Sequence, residues 1–236
     1  MRREVLLDEI SDGKLYRIHD MVKADCQECK GCSSCCRGMG ESIVLDPLDI
    51  WRLKYRLGES LQELMQHAIE LNVVDHMILP NLKMNTETEA CSFLNQEGRC
   101  SIHTERPGIC RIFPLGRVYE NRSFQYFLQM NECEKTNRTK IKVSKWIDCK
   151  HMKENQKFIS QWHYFLKDVE ELILESQEEN ALKQVSMYVL QQFYVQDIVQ
   201  SGTLDTNELG FYEEMGYRIL RAREDLELSM EKDGIL

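Results

Sequence analysis

Five of the chain's ten cysteines fall between residues 26 and 36, at Cys26, Cys29, Cys32, Cys35 and Cys36, in the segment DCQECKGCSSCCR. Cysteines that served only as small buried hydrophobes would follow the period of a strand or a helix, and this run follows neither. Thiolates two residues apart, in a stretch that also carries a glycine and two serines, can fold around one soft cation. The spacing therefore points to a ligand loop for a metal or an iron–sulfur cluster. A second block carries Cys91, Cys100 and Cys110 in a C-x8-C-x9-C pattern, and Cys133 and Cys149 follow it.

Ligand arithmetic separates the candidate metals. One structural zinc uses four ligands and would leave six of the cysteines without a role, and the second block lacks the C-x2-C knuckle of paired zinc sites. The run from Cys26 to Cys35 is nearer the ferredoxin pattern C-x2-C-x2-C-x3-C-P, without its proline and final spacing. Count and all-sulfur softness favour a cluster, with zinc as the alternative. Eight cysteines, Cys29, Cys32, Cys35, Cys36, Cys91, Cys100, Cys110 and Cys133, suffice for two [4Fe-4S] clusters, and fewer suffice for one. Cys26 and Cys149 are then the spares. Adjacent Cys35 and Cys36 cannot bridge each other without severe strain, so each can serve a different centre, or one can pack. His103 is read as a hydrogen-bonded loop residue. Arg106 and Arg111, which bracket Cys110, are the candidates for hydrogen bonds to cluster sulfurs or to a substrate carboxylate, with ion pairs to Glu105 and similar neighbours as the other reading.

Composition narrows the setting. The 236 residues carry a net charge of −9. Residues 1–150 hold 22 basic and 22 acidic side chains, and residues 151–236 hold 8 and 17, so the excess acid lies in the C-terminal third. That distribution argues against nucleic acid as a partner, because phosphate contacts need clustered lysine and arginine. No apolar stretch approaches the ~18–20 residues of a membrane span, and charges interrupt the only apolar run near the N-terminus, so the expected setting is the cytoplasm, without a membrane partner. In a reducing compartment ten cysteines are metal ligands or redox groups before they are disulfides.

The elements that must position these thiols divide into three stretches. Residues 1–25 read as a polar N-terminal lead-in, 26–150 as the cysteine-rich metal or iron–sulfur domain, and 151–236 as a helical part packed on it. Within the middle stretch, Glu41–Leu45 reads as a short strand. Asp46 caps a helix that starts at Pro47 and stops at Gly58, and Ser60 caps a second one. Val73–Met84, broken by Pro80, reads as irregular strand. Residues 117–128 read as a hairpin turning at Asn121-Arg122, and the lysine–isoleucine–lysine–valine alternation around Ile141 as a half-buried strand with a solvated lysine face. Phe158, Trp162, Phe165, Leu166, Val169, Leu172 and Ile173 recur at helical spacing, and two more amphipathic helices follow, around Leu182–Phe193 and Phe211–Leu226. The expected fold class is α+β, mainly α: an irregular cysteine-rich metal-binding domain with short strands, capped by C-terminal amphipathic helices.

The stretches CKGCSSCCR, IVLDPLDIWRL and CSFLNQEGRCSIHTERPGICRIFPLG, together with Cys133, resemble the YkgJ-type cysteine-cluster family over about residues 22–150. The resemblance implies a zinc- or iron-chelating domain. His103 stands where the family usually has tyrosine, which argues against a required ligand there. A related branch, the flagellin lysine N-methylases, shares the cysteine signature and implies an iron–sulfur cluster used with S-adenosylmethionine on a protein or peptide substrate. No glycine-rich G-x-G-x-x-G turn marks a dinucleotide-type cofactor site. Three functions are carried forward: an iron–sulfur protein with a redox or metal-dependent role, a cluster- and S-adenosylmethionine-dependent protein lysine methylase-like enzyme, and a structural zinc-binding interaction module.

Overall fold

The computed structural model describes residues 7–26, 32–176, 180–198 and 204–229. In chain order the elements are α1 (Leu7–Ile10), β1 (Ser11–Tyr16), β2 (Met21–Asp25), α2 (Pro47–Leu57), α3 (Leu61–His67), β3 (Ile69–Val74), β4 (Met77–Leu82), α4 (Gly108–Ile112), β5 (Leu115–Glu120), β6 (Ser123–Gln129), β7 (Thr139–Lys142), α5 (Val143–Ile147), α6 (Met152–Glu175), α7 (Ala181–Leu190) and α8 (Leu204–Asp225). The architecture is α+β and mainly α, as the sequence leads one to expect. Among the described residues, no helix is long and apolar enough to cross a membrane.

Helix boundaries follow local chemistry. Asp46 and Asp49 form a reciprocal capping box at the start of α2, Pro47 supplies its first turn, and Gly58 ends it in the left-handed region at φ 70°. Ser60 and Glu63 cap α3 in the same reciprocal way. The hairpin of β5 and β6 turns on Asn121 and Arg122, both left-handed at φ 50° and 56°, the geometry that matches the twist of the flanking strands.

Three differences from the sequence reading have clear causes. The lead-in supplies two strands: β1 pairs with β6, extending the sheet to the order β1-β6-β5, and β2 pairs with β7. Val73–Met84 is not irregular but part of a regular ribbon, β3 with β4, closed by left-handed Asp75 and His76. Pro80 is tolerated there because a proline still accepts, and its carbonyl takes the Leu45 N–H at 2.8 Å. Glu41–Leu45 forms no strand of its own, since only Val44 makes a bridge, to Asn81.

Two apolar clusters result. The smaller joins Val22, Ala24, Ile112, Leu115, Tyr126, Leu128, Val143 and Ile147. The larger runs from Ile43 through α2, α3, β3 and β4 into α6, α7 and α8, with Cys91, Cys100 and Cys110 at its edge. The C-terminal helices thus share one core with the cysteine-bearing segments. Where α7 ends, a π-helical turn at Gln191–Val195 buries Phe193 and Tyr194, and the Tyr194 hydroxyl donates to the Leu45 carbonyl at 3.1 Å.

Asp168 on α6 locks this arrangement. It accepts from Arg223 of α8 at 2.7 Å and from Arg122 of the β5–β6 turn at 3.3 Å, and Arg223 is fully buried. Removing one partner of such a pair strands a charge in the interior. Asp168→Ala is expected to destabilise the protein by about 3–5 kcal/mol, measured as a lowered urea midpoint at unchanged slope. A loss within the ~0.5 kcal/mol typical of surface changes would refute the lock.

Candidate metal centre

The two cysteine blocks are stitched together by their backbones. The Cys91 N–H donates to the Cys36 carbonyl at 2.8 Å, Gly38 N–H donates to the Glu89 carbonyl at 2.9 Å, and Arg37 and Ala90 form a bridge between these bonds. Cys91 in turn bridges Met84, just beyond β4. The loop to Cys100 is a tight one built on Asn95, whose side-chain oxygen accepts the N–H groups of Glu97 and Arg99 while Leu94 and Cys100 form a bridge across it. Loop chemistry, not a strand or helix period, therefore sets the spacing of Cys91 and Cys100.

Cys110 arrives on α4, whose first N–H, that of Gly108, donates to Asp49 Oδ1 at 2.8 Å. At the other end of α4, Arg111 donates to the carbonyls of Thr104 and Asp148, and the Trp146 indole N–H donates to those of Ile112 and Phe113. One buried carboxylate and one buried guanidinium thus fix α4, and with it Cys110, against the rest of the fold.

Cys32, Cys35, Cys36, Cys91, Cys100 and Cys110 all line one cavity of about 1110 Å3. The donor set is all sulfur, which suits zinc or iron rather than a hard cation. Phe93 N–H bonds to the Cys91 sulfur and Ile102 N–H to the Cys100 sulfur, contacts that favour the thiolate a metal needs. Among the described residues, no group of three or more histidine, cysteine, aspartate or glutamate side chains is arranged to hold a single metal ion. The donor chemistry fits a thiophilic metal, and the thiols are distributed along a wall.

Their acidities differ with their surroundings. A hydrogen bond from Cys35 brings the Cys36 thiol down to about 7, against partial burial and with help from Arg37. Burial pushes Cys91 up to about 11 and raises Cys100 and Cys110 as well, each further raised by neighbouring thiols of the same wall. That mutual influence places Cys36, Cys91, Cys100 and Cys110 close together.

The remaining sequence candidates fall as follows. Cys29 lies outside the described residues. Cys133 follows β6 and does not line the cavity, although neighbouring Glu132 does. Cys26 is buried at the end of β2, and Cys149 packs against the smaller apolar cluster; neither lines the cavity. Arg106 lines it beside Cys100 and folds back over His103, donating to that residue's carbonyl at 2.9 Å, while Glu105 pairs with Arg56 instead. Arg111 does not line it. Among the lining residues that sequence reasoning did not assign to the site are Asp46, Asp49, Arg117 and His163. Asp46 was legible only as a helix cap, and nothing in the sequence reading marks Asp49, Arg117 or His163.

Residues 28–142 match a family model described as "CxxCxxCC: Putative zinc- or iron-chelating domain". Comparison with curated proteins and with solved structures finds no match.

Asp49 carries a testable titration. Burial, and then Asp46 beside it, push its carboxyl up to about 8, against the N–H bonds from Gly108 and Asp46 and the charge of Arg52. An unfolded aspartate titrates near ~3.9, so the folded state holds a proton the unfolded state has lost. The stability this contributes is complete below about 4 and disappears as pH rises through about 8. Between about pH 5 and 7, wild-type unfolding free energy should fall relative to Asp49→Asn by at most about 1.4 kcal/mol per pH unit, read from urea titrations. Parallel pH profiles for the two proteins would contradict the assignment.

Proposed function

We propose that this chain, which through residues 28–142 belongs to the CxxCxxCC family of zinc- or iron-chelating domains, holds an iron–sulfur cluster on the thiol wall of its cavity and serves a redox or metal-dependent role. The observation that carries the reading is the number and distribution of the thiols. Six line one cavity, more than the four a structural zinc takes. One cluster likewise takes four thiolates, one per iron, and six lining thiols with Cys29 beside them in sequence allow for more than one centre. The ligands are drawn from Cys32, Cys35, Cys36, Cys91, Cys100 and Cys110, with Cys29 next to them in sequence, and Arg106 is placed to hydrogen-bond on the Cys100 side. Such thiols stay reduced in the cytoplasm, which is the setting this reading requires.

A second reading is favoured by the cavity itself, which extends well past the thiols to Tyr119, Trp162 and His163. That space supports an enzyme in which the cluster and S-adenosylmethionine act on a protein or peptide substrate, in the manner of a lysine methylase. The zinc module remains the alternative in which the wall is purely structural.

Anaerobic purification separates them. A brown protein with a broad absorbance near ~400 nm and iron with acid-labile sulfide is the expected result. Colourless protein with stoichiometric zinc would overturn both cluster readings together. Alanine at Cys36, Cys91, Cys100 or Cys110 is expected to abolish the colour and lower metal content, whereas Cys149→Ala leaves both unchanged. S-adenosylmethionine binding by the coloured protein in calorimetry would favour the enzyme over the carrier.

A further inference from the structure

The cavity carries a second chemical feature besides its thiols. Arg117 lies on β5 opposite Tyr126 and lines the cavity. It is half-buried, and among the described residues no carboxylate comes within ion-pair distance of its guanidinium. Its neighbours are the phenols of Tyr119 and Tyr126 and the Phe124 ring, whose centroid is 5.4 Å away. Its Nε is buried without a hydrogen-bond partner. The carboxylate that acts on it from a distance, Asp46, is occupied by the α2 cap, where Oδ1 accepts from Asp49 N–H at 2.9 Å. A half-buried guanidinium with an unpartnered Nε, set among ring faces and phenols and with Asp46 already engaged in a cap, has capacity for an incoming anion.

The rest of this end of the cavity is not suited to a small hydrated ion. Val44, Met77, Leu79, Ile159 and Leu166 give it an apolar lining. His163, stacked on Tyr119 with ring centroids 3.5 Å apart, is held neutral by burial and by Lys167. Lys167 is itself committed to Asp75 and Glu170. The whole space, about 1110 Å3, exceeds what a metal centre alone would need and reaches the surface beside exposed Glu132 and Lys145.

We propose that the cavity binds an organic oxyanion, a small molecule whose carboxylate or phosphate head meets Arg117 and whose apolar body lies along the Val44–Met77–Leu166 lining. Arginine's planar fork suits either head group, and an apolar pocket with one placed charge is the usual form of a small-molecule site. The assignment rests on Arg117 and the lining, so it stands whether the thiol wall carries zinc or a cluster.

The test is thermal melting of the full chain with its metal retained, at constant ionic strength, against benzoate, phenyl phosphate and benzyl alcohol. At least one anion is expected to raise the melting temperature saturably, by roughly 5 °C near hundredfold excess over its dissociation constant. The neutral alcohol gives no rise, and the stronger anion identifies the head group. Arg117→Lys keeps the charge but loses the fork, and it is expected to weaken the apparent affinity about tenfold with metal content unchanged. Arg117→Met removes the shift. Absence of any anion effect in the wild type, or an effect undiminished in Arg117→Lys, would overturn the proposal.

Discussion

A single buried carboxylate ties the helical core to the thiol wall. Asp49 sits in the first turn of α2, the best-capped helix of the fold, and uses one oxygen to complete its own cap and the other to seize the first N–H of α4. Because α2 is anchored in the larger apolar cluster through Leu48, Ile50, Trp51 and Leu53, that grip transfers the rigidity of the core to Cys110. A carboxylate out of water is unfavourable unless its lone pairs are filled. Here two backbone donors fill them, and Arg52, itself paired with Glu208 of α8, adds positive charge nearby. The C-terminal helices therefore reach the site through charges as well as through packing.

The remaining thiols are set by backbone. Cys36 and Cys91 face each other because their segments bond as a short antiparallel pair, and Cys100 follows from the Asn95 turn. None of these devices involves the sulfur atoms. Thiols raised by burial, such as Cys91 and Cys110, must surrender protons to a metal, whereas Cys36 is already close to ionisation at neutral pH.

Much of this was legible in the residues, and the pattern of what was not is physical. Caps and stops are local chemistry, so Asp46, Pro47, Gly58 and Ser60 announce their helices, and the apolar period from Phe158 to Ile173 announces α6. The two cysteine blocks could be assigned to one site from ligand types alone. The β3–β4 ribbon was obscured because its turn uses Asp75 and His76 in the left-handed region where glycine or asparagine would be expected, and because Pro80 sits inside a strand. Strands β1 and β2 were hidden for a different reason: their partners, β6 and β7, lie more than a hundred residues along the chain, and no local signal encodes such a pairing. Arg117 and His163 were concealed for another reason: the sheet and α6, not a local motif, bring them to the cavity.

The stitch between Cys36 and Cys91 closes a loop of roughly fifty residues, and α4 adds Cys110 only after a further turn of chain. Closing such loops is entropically uphill until the contacts they permit are made. During synthesis, therefore, the N-terminal thiols emerge long before the segments that complete their surroundings. A chain caught at that stage exposes Cys32, Cys35 and Cys36 as an incomplete, reactive set. Assembly of the wall becomes a late event in synthesis, since it waits for the chain to emerge past residue 110.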